Sequence, residues 1–218
     1  SHIDKHIDGH NHGIAFDVYP YIASSTVLKE DSIKLSERVL ITWSKARPDL
    51  AGRELSDIAE ELDCDIFSAA AQLQPAGAVY FAMAEEDVQR ILSHPNAMIG
   101  SDGLPHDEHP HPRLWGTFPR VLGHYCRDLK LFSLEEAVRR MTGYSAETFG
   151  LIDRGIIKPG AFADITIFDE DTVLDRATFD KPMTPAAGID TVLVNGSIVW
   201  ESGGATGRRP GHVLRNGG

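Results

Sequence analysis

Ile99-Gly100-Ser101-Asp102-Gly103, running directly into Leu104-Pro105-His106-Asp107-Glu108-His109-Pro110-His111-Pro112-Arg113, is the stretch that decides the fold class. Ala97, Met98 and Ile99 form a short apolar run that reads as a buried strand. Gly100, Ser101 and Gly103 break the run and leave Asp102 at its C-terminal end, beside residues too small to shield it. In parallel α/β barrels the chemistry sits at that end of the strands. An Asp capping a turn is the simpler reading, but the density of ionisable side chains in the following loop favours a functional Asp102.

Outward from this stretch, strands and helices alternate. Ile14-Ala15-Phe16-Asp17-Val18-Tyr19 starts apolar, then alternates, and stops at Pro20, as a strand followed by a loop does. Residues 39–43 read as another short strand. Leu55, Ile58, Ala59 and Leu62 fall on one helical face, and residues 66–73 give a second helix ended by Pro75 and Gly77. The apolar run 78–83 reads as a buried strand. Val88, Ile91 and Leu92 mark a helix entered through Glu85, Glu86 and Asp87, acids suited to a helix N-terminus. Ser133 and Glu136 form a capping box ahead of a helix with Leu134, Ala137, Val138 and Met141 inward, and residues 145–149 form a shorter helix closed by Gly150. The pattern is α/β, consistent with parallel pairing. After Pro159-Gly160 it becomes β: residues 165–168 form one strand, and Asn195-Gly196 joins two more in a hairpin. A closed eight-stranded barrel takes about 250 residues. Only about three strands here are of barrel type, so the chain reads as the C-terminal part of a larger enzyme.

The 218 residues carry a net charge of −11, which argues against nucleic acid or an anionic membrane surface as the main partner. An acidic protein that binds an anionic substrate needs a local cation, which draws attention to particular arginines. No apolar run approaches the ~18 residues of a membrane span. Two cysteines, Cys64 and Cys126, are too few for a disulfide framework; both fall in helical segments, read as structural, and suit a reducing cytoplasm.

Five segments together closely resemble the D-aminoacylases, zinc-dependent N-acyl-D-amino-acid deacylases of the amidohydrolase superfamily. They are Asp17-Val18-Tyr19-Pro20-Tyr21, Leu73-Gln74-Pro75-Ala76-Gly77-Ala78-Val79-Tyr80, the loop 100–113, Leu114-Trp115-Gly116-Thr117-Phe118-Pro119-Arg120 and Gly160-Ala161-Phe162-Ala163-Asp164. The resemblance implies the C-terminal portion of a metal-dependent-hydrolase (β/α)8 (TIM) barrel plus part of a small β-sandwich domain. Residues 1–159 would belong to the barrel, with an insertion at about 24–77, and residues 160–218 to the sandwich and tail. Strand seven would be residues 14–19 and strand eight residues 97–102.

The same resemblance implies Zn2+ as cofactor, with most ligands upstream of residue 1 and supplied by a missing N-terminal half or a complementary chain. His10-Asn11-His12 is a tempting substitute, but no apolar strand precedes it; it reads as fortuitous, after a helix end at Ile3 and Ile7, and Ser1-His2 could be a cloning remnant. Asp102 would be the general acid/base and a ligand of a weaker second metal site. Arg113 and Tyr19 would bind the substrate α-carboxylate, for which a guanidinium offers two parallel hydrogen bonds. Ser25 and Tyr80 would line the same pocket. Prolines in the loop prevent the regular structure that would align His106, Asp107, His109 and His111 as ligands, so these shape the loop. Trp115, Phe118 and His124 would anchor it on the barrel. The expected reaction is metal-dependent hydrolysis of an N-acyl-D-amino acid, a small-molecule substrate, by a protein with this chain alone inactive. The alternatives are a cyclic amide or ureide as substrate, or a non-catalytic subunit or fragment.

Overall fold

The computed structural model describes residues 14–215; His10, His12 and the helix end expected near Ile3 and Ile7 lie outside them. In chain order the described residues form β1 (Phe16–Val18), β2 (Ala23–Val27), α1 (Glu30–Lys34), β3 (Arg38–Ser44), α2 (Leu55–Glu61), α3 (Ile66–Leu73), β4 (Ala76–Phe81), α4 (Glu85–Leu92) and β5 (Ala97–Ile99). There follow α5 (Arg113–Arg120), a π-helix (Val121–Asp128), α6 (Leu134–Met141), α7 (Gly143–Thr148), β6 (Ile165–Phe168), β7 (Ile189–Val194), β8 (Ser197–Glu201) and β9 (Gly204–Ala205).

β1 and β5 pair in parallel, Phe16 opposite Ala97 and Val18 opposite Ile99. The strand period of two turns Val18 and Ile99 to one face, where they meet Leu92, Val121, Tyr125 and Ala137 in a core under the helices. Tyr19 and Asp102, just past the two strand ends, are thereby delivered to the same end of the pair.

Parallel pairing does not extend to β3 and β4. These join β2 in an antiparallel sheet of order β2-β4-β3. The sequence misleads because the central strand β4 is covered on both faces, and a strand buried twice shows the unbroken apolar run of a parallel strand. Gly77 lies inside β4 and does not end α3: a Cβ there would stand 2.2 Å from Nε1 of Trp43, so only glycine lets the strands pass. β2 is an edge strand, and its Ser24-Ser25-Thr26 centre conceals it as a loop. Below the sheet, Leu55 and Ile58 of α2 and Leu73 of α3 pack with Ile41 and Tyr80. Asp65 caps α3, its carboxylate accepting from the N–H groups of Phe67 (2.9 Å) and Ser68 (3.1 Å), a contact worth ~1 kcal/mol.

The helical pair α5 and π-helix has no clear sequence signature, since Gly116, Pro119 and Gly123 all disfavour helix. Gly123 has a packing reason: a Cβ would stand 2.4 Å from the Val173 carbonyl oxygen. α6 begins where the capping box places it, with Ser133 Oγ accepting from the Glu136 N–H at 3.3 Å. The last four strands form an antiparallel sheet in chain order. Asn195 and Gly196 turn its hairpin at φ +46° and +76°, both in the left-handed region that a type I′ turn requires.

Candidate active site

β5 ends at Ile99, and Asp102 follows at φ +44°, a left-handed conformation that Asp tolerates better than most residues. Both flanking glycines are needed for close approach. A Cβ at Gly100 would meet the Asp17 carboxylate at 2.3 Å, and one at Gly103 would meet Leu114 Cδ1 at 2.6 Å. Asp102 projects outward with 60% of its side chain exposed, while Arg113, at the start of α5, is 1% exposed. Their ion pair closes at 2.8 Å between Arg113 Nη2 and Asp102 Oδ2.

Burying a guanidinium is costly unless its charge and donors are met. Here Arg113 also donates to the Ser25 carbonyl at 3.3 Å, and its guanidinium carbon lies 4.5 Å from the Tyr19 ring centroid. Burial pushes the Tyr19 phenol above its ordinary pKa; Arg113 opposes that rise and Asp102 adds to it. Two polar atoms are left over: Arg113 Nε and Ser25 Oγ are buried without a hydrogen-bond partner. Unmet buried polar atoms are rare enough to need an explanation. A donor of this charge beside a free hydroxyl and a phenol can receive a carboxylate.

The loop is fixed by its histidines. His111 Nδ1 accepts from the Arg113 N–H at 2.9 Å, so its Nε2 carries the proton and donates to the Ala23 carbonyl at 3.0 Å. Burial, with the Arg113 charge, holds His111 neutral, its pKa lowered to about 3. The His109 N–H donates to the Thr42 carbonyl at 2.9 Å, and its Nε2 lies 2.6 Å from the Phe179 carbonyl. Ala23 and Ser25 thus offer their carbonyls on the edge of β2 away from β4, and side chains of His111 and Arg113 cap that edge. Asp107 is partly buried, and burial raises its carboxyl pKa against the lowering effects of Thr42 and Arg113.

The structure brings Asp102, Arg113, Tyr19 and Ser25 together. It does not bring Tyr80 to them. Ser25 pairs with Val79 across the sheet and Ser24 with Tyr80, so Tyr80 and Ser25 point to opposite faces. The Tyr80 hydroxyl accepts from the Lys29 N–H and donates to the Val27 carbonyl, both at 2.9 Å, within the hydrophobic core. Two residues near the cluster had no signal in the sequence: Phe179, from far along the chain, and Arg120, one heptad beyond Arg113 on a helix that Gly116 and Pro119 hide.

Among the described residues no three His, Cys, Asp or Glu side chains gather to hold a metal ion. Asp102 alone does not make a zinc site.

Comparison with known proteins places the chain among relatives. The chain is 56% identical over 201 residues to D-aminoacylase of Alcaligenes xylosoxydans xylosoxydans, covering 92% of this chain and 42% of that protein. It is 50% identical over 202 residues to N-acyl-D-glutamate deacylase of the same organism, covering 93% of this chain and 41% of that protein. A crystal structure of N-acyl-D-glutamate deacylase from Bordetella bronchiseptica, complexed with zinc and a phosphonate mimic of the tetrahedral intermediate, superposes with a TM-score of 0.92 at 50% identity, over 98% of this chain and 45% of that one. The chain therefore spans about two fifths of the length of the curated relatives it matches. The model of the amidohydrolase family matches residues 64–200, well over half of the sequence. This chain belongs to the amidohydrolase family.

Proposed function

We propose that this chain supplies the carboxylate-binding and proton-transfer residues of an enzyme that hydrolyses N-acyl-D-amino acids to a carboxylate and a free D-amino acid. The observation that carries the reading is the buried Arg113, with its unmet Nε beside the unmet Ser25 hydroxyl and the Tyr19 phenol. The substrate α-carboxylate docks there, both its oxygens facing the guanidinium. It competes with Asp102 for Arg113 Nη2, so substrate binding frees the Asp102 carboxylate. That carboxylate then takes a proton from the attacking water and returns it to the departing amine nitrogen. A preference for the D enantiomer is inferred from the relatives.

The reading includes zinc, whose role is to polarise the scissile carbonyl and acidify water. The described residues do not fit a zinc site; in this reading its ligands come from outside them, from a preceding segment of a longer polypeptide or a complementary chain. By the same reading β1 and β5 are neighbouring strands of a (β/α)8 barrel, and residues 24–77 an insertion over its mouth. Residues 160–218 form one share of a small β-sandwich, residues 1–159 belonging to the barrel. Parallel pairing of β1 with β5 and the position of Asp102 beyond β5 support this. Cys64 and Cys126 are both free, in keeping with the cytoplasm. Among the described residues no helix is long and apolar enough to cross a membrane.

The test is hydrolysis of N-acetyl-D-methionine and its L enantiomer by the complete zinc-loaded enzyme containing this chain, beside the 218-residue chain alone. D-selective turnover by the complete enzyme and none by the chain alone is expected. Turnover by the chain alone would overturn this division of labour, and equal turnover of both enantiomers would overturn the D assignment.

A further inference from the structure

We propose that Arg120 is a second positioning arginine of this site, holding the Tyr19 loop through the Pro20 carbonyl and the Tyr21 ring, with Asp175 locking it in place. The inference rests on the carboxylate-binding reading above. Arg113 and Arg120 are seven residues apart on α5, two turns along one face. Each faces a tyrosine of the turn after β1: the guanidinium carbon of Arg113 is 4.5 Å from the Tyr19 ring centroid, and that of Arg120 is 5.1 Å from the Tyr21 ring centroid. Arg120 Nε donates to the Pro20 carbonyl at 2.9 Å, so the residue between the tyrosines is tied to the same helix.

The far side of Arg120 is fixed as well. Its Nη1 meets Asp175 Oδ2 at 3.3 Å, and the Asp175 side chain is only 8% exposed. Asp175 belongs to a segment that is itself clamped, since Arg127 Nη1 donates to the Val173 carbonyl at 2.8 Å. Gly116 permits the approach: a Cβ there would stand 2.5 Å from the Tyr21 hydroxyl oxygen and 3.1 Å from Asp175 Cβ. Burial, reinforced by Asp175, pushes the Tyr21 phenol far above its ordinary pKa, so the ring stays neutral. Tyr21 also packs edge-on against His111, at 5.1 Å between centroids. Arg120 is therefore linked to Tyr19 through Pro20, and to the Arg113 backbone through Tyr21 and His111. Letting Tyr19 drift loosens the hold on the carboxylate in ground state and transition state alike, so the loss falls mainly on KM.

The experiment uses the complete enzyme with Arg120→Met, Arg120→Lys and Asp175→Asn, assayed on an N-acyl-D-amino acid and on its methyl ester. Arg120→Met should raise KM for the acid about tenfold with a much smaller change in kcat, and lower the acid-over-ester preference in kcat/KM by about the same factor. Arg120→Lys and Asp175→Asn should show the same selective effect, attenuated. In Tyr19→Phe enzyme, adding Arg120→Met should cost little more on the acid. A loss shared equally by acid and ester, or additive with Tyr19→Phe, makes Arg120 a merely structural residue and overturns the proposal. If Arg120→Met does not fold, Asp175→Asn carries the same comparison. Arg113→Ala separates the two levels. If it leaves the acid-over-ester preference intact, the carboxylate reading itself has failed; if it abolishes the preference and the Arg120 and Asp175 variants do not lower it, only the present inference has failed.

Discussion

The two antiparallel sheets of this chain have similar apolar strands and different surroundings. In β2-β4-β3, the centre of β4 is buried on both faces, and Ile41, Ala78 and Val79 are fully enclosed. In β6-β7-β8-β9, among the described residues, β6, β7 and β8 have no fully buried position, although Ile165, Leu193, Val194, Ile198 and Val199 are as apolar as their counterparts. Beside β6 lies an apolar cleft of about 570 Å³, flanked by Phe118, Leu122, Met141 and Phe162. Burial follows from what packs against a strand, and sequence periodicity does not report it. The Asp102–Arg113 cluster rests on the enclosed sheet, through the carbonyls of Ala23 and Ser25.

The contrast should appear first in core truncations. Ile41→Ala should cost about 2–5 kcal/mol in urea unfolding, against about 1 kcal/mol for Leu193→Ala. Equal losses would mean that the C-terminal sheet is as well enclosed as the other. Glycine substitutions sharpen the difference in kind. Gly77→Ala should cost about 1–3 kcal/mol through overpacking against Trp43. Gly196→Ala has open space around it and only its φ of +76° to strain, so a smaller loss, about 1 kcal/mol, is expected in the same titration. A larger penalty at Gly196 would reverse that assignment.

One pH effect falls in the enclosed region. The His111 pKa is lowered from 6.5 to about 3, so folding favours its neutral form. The stability it contributes is complete above about pH 6.5 and is lost as pH falls toward 3. Thermal melts across that window should decline less steeply for His111→Gln than for the parent. Identical slopes would show that His111 is not the titrating group.

Within the cluster only Asp102 carries a local signal, a strand ending in small residues before a loop rich in ionisable side chains. Arg113, Tyr19 and Ser25 were singled out by the resemblance to the D-aminoacylases. The hairpin at Asn195-Gly196 and the helices α2, α3, α4 and α6 were equally plain. What was hidden depends on distant contacts. β2 is polar because it is an edge capped by side chains of His111 and Arg113. α5 and the π-helix contain Gly116 and Gly123 for close packing against Asp175 and Val173, which lowers the local helix signal. The face that Tyr80 presents is set by register, where a single step separates core from site. Arg120 needs α5 to exist before its spacing from Arg113 has meaning.

The most direct test of the carboxylate-binding role is Arg113→Ala in the complete enzyme, with N-acetyl-D-methionine compared with its methyl ester. Loss of a charge-assisted hydrogen-bonded pair predicts a fall of about 10- to 100-fold in kcat/KM for the acid, carried mainly by KM, with the ester nearly unaffected. An equal fall for both substrates, or none for the acid, would contradict the assignment of Arg113 as the seat of the substrate carboxylate.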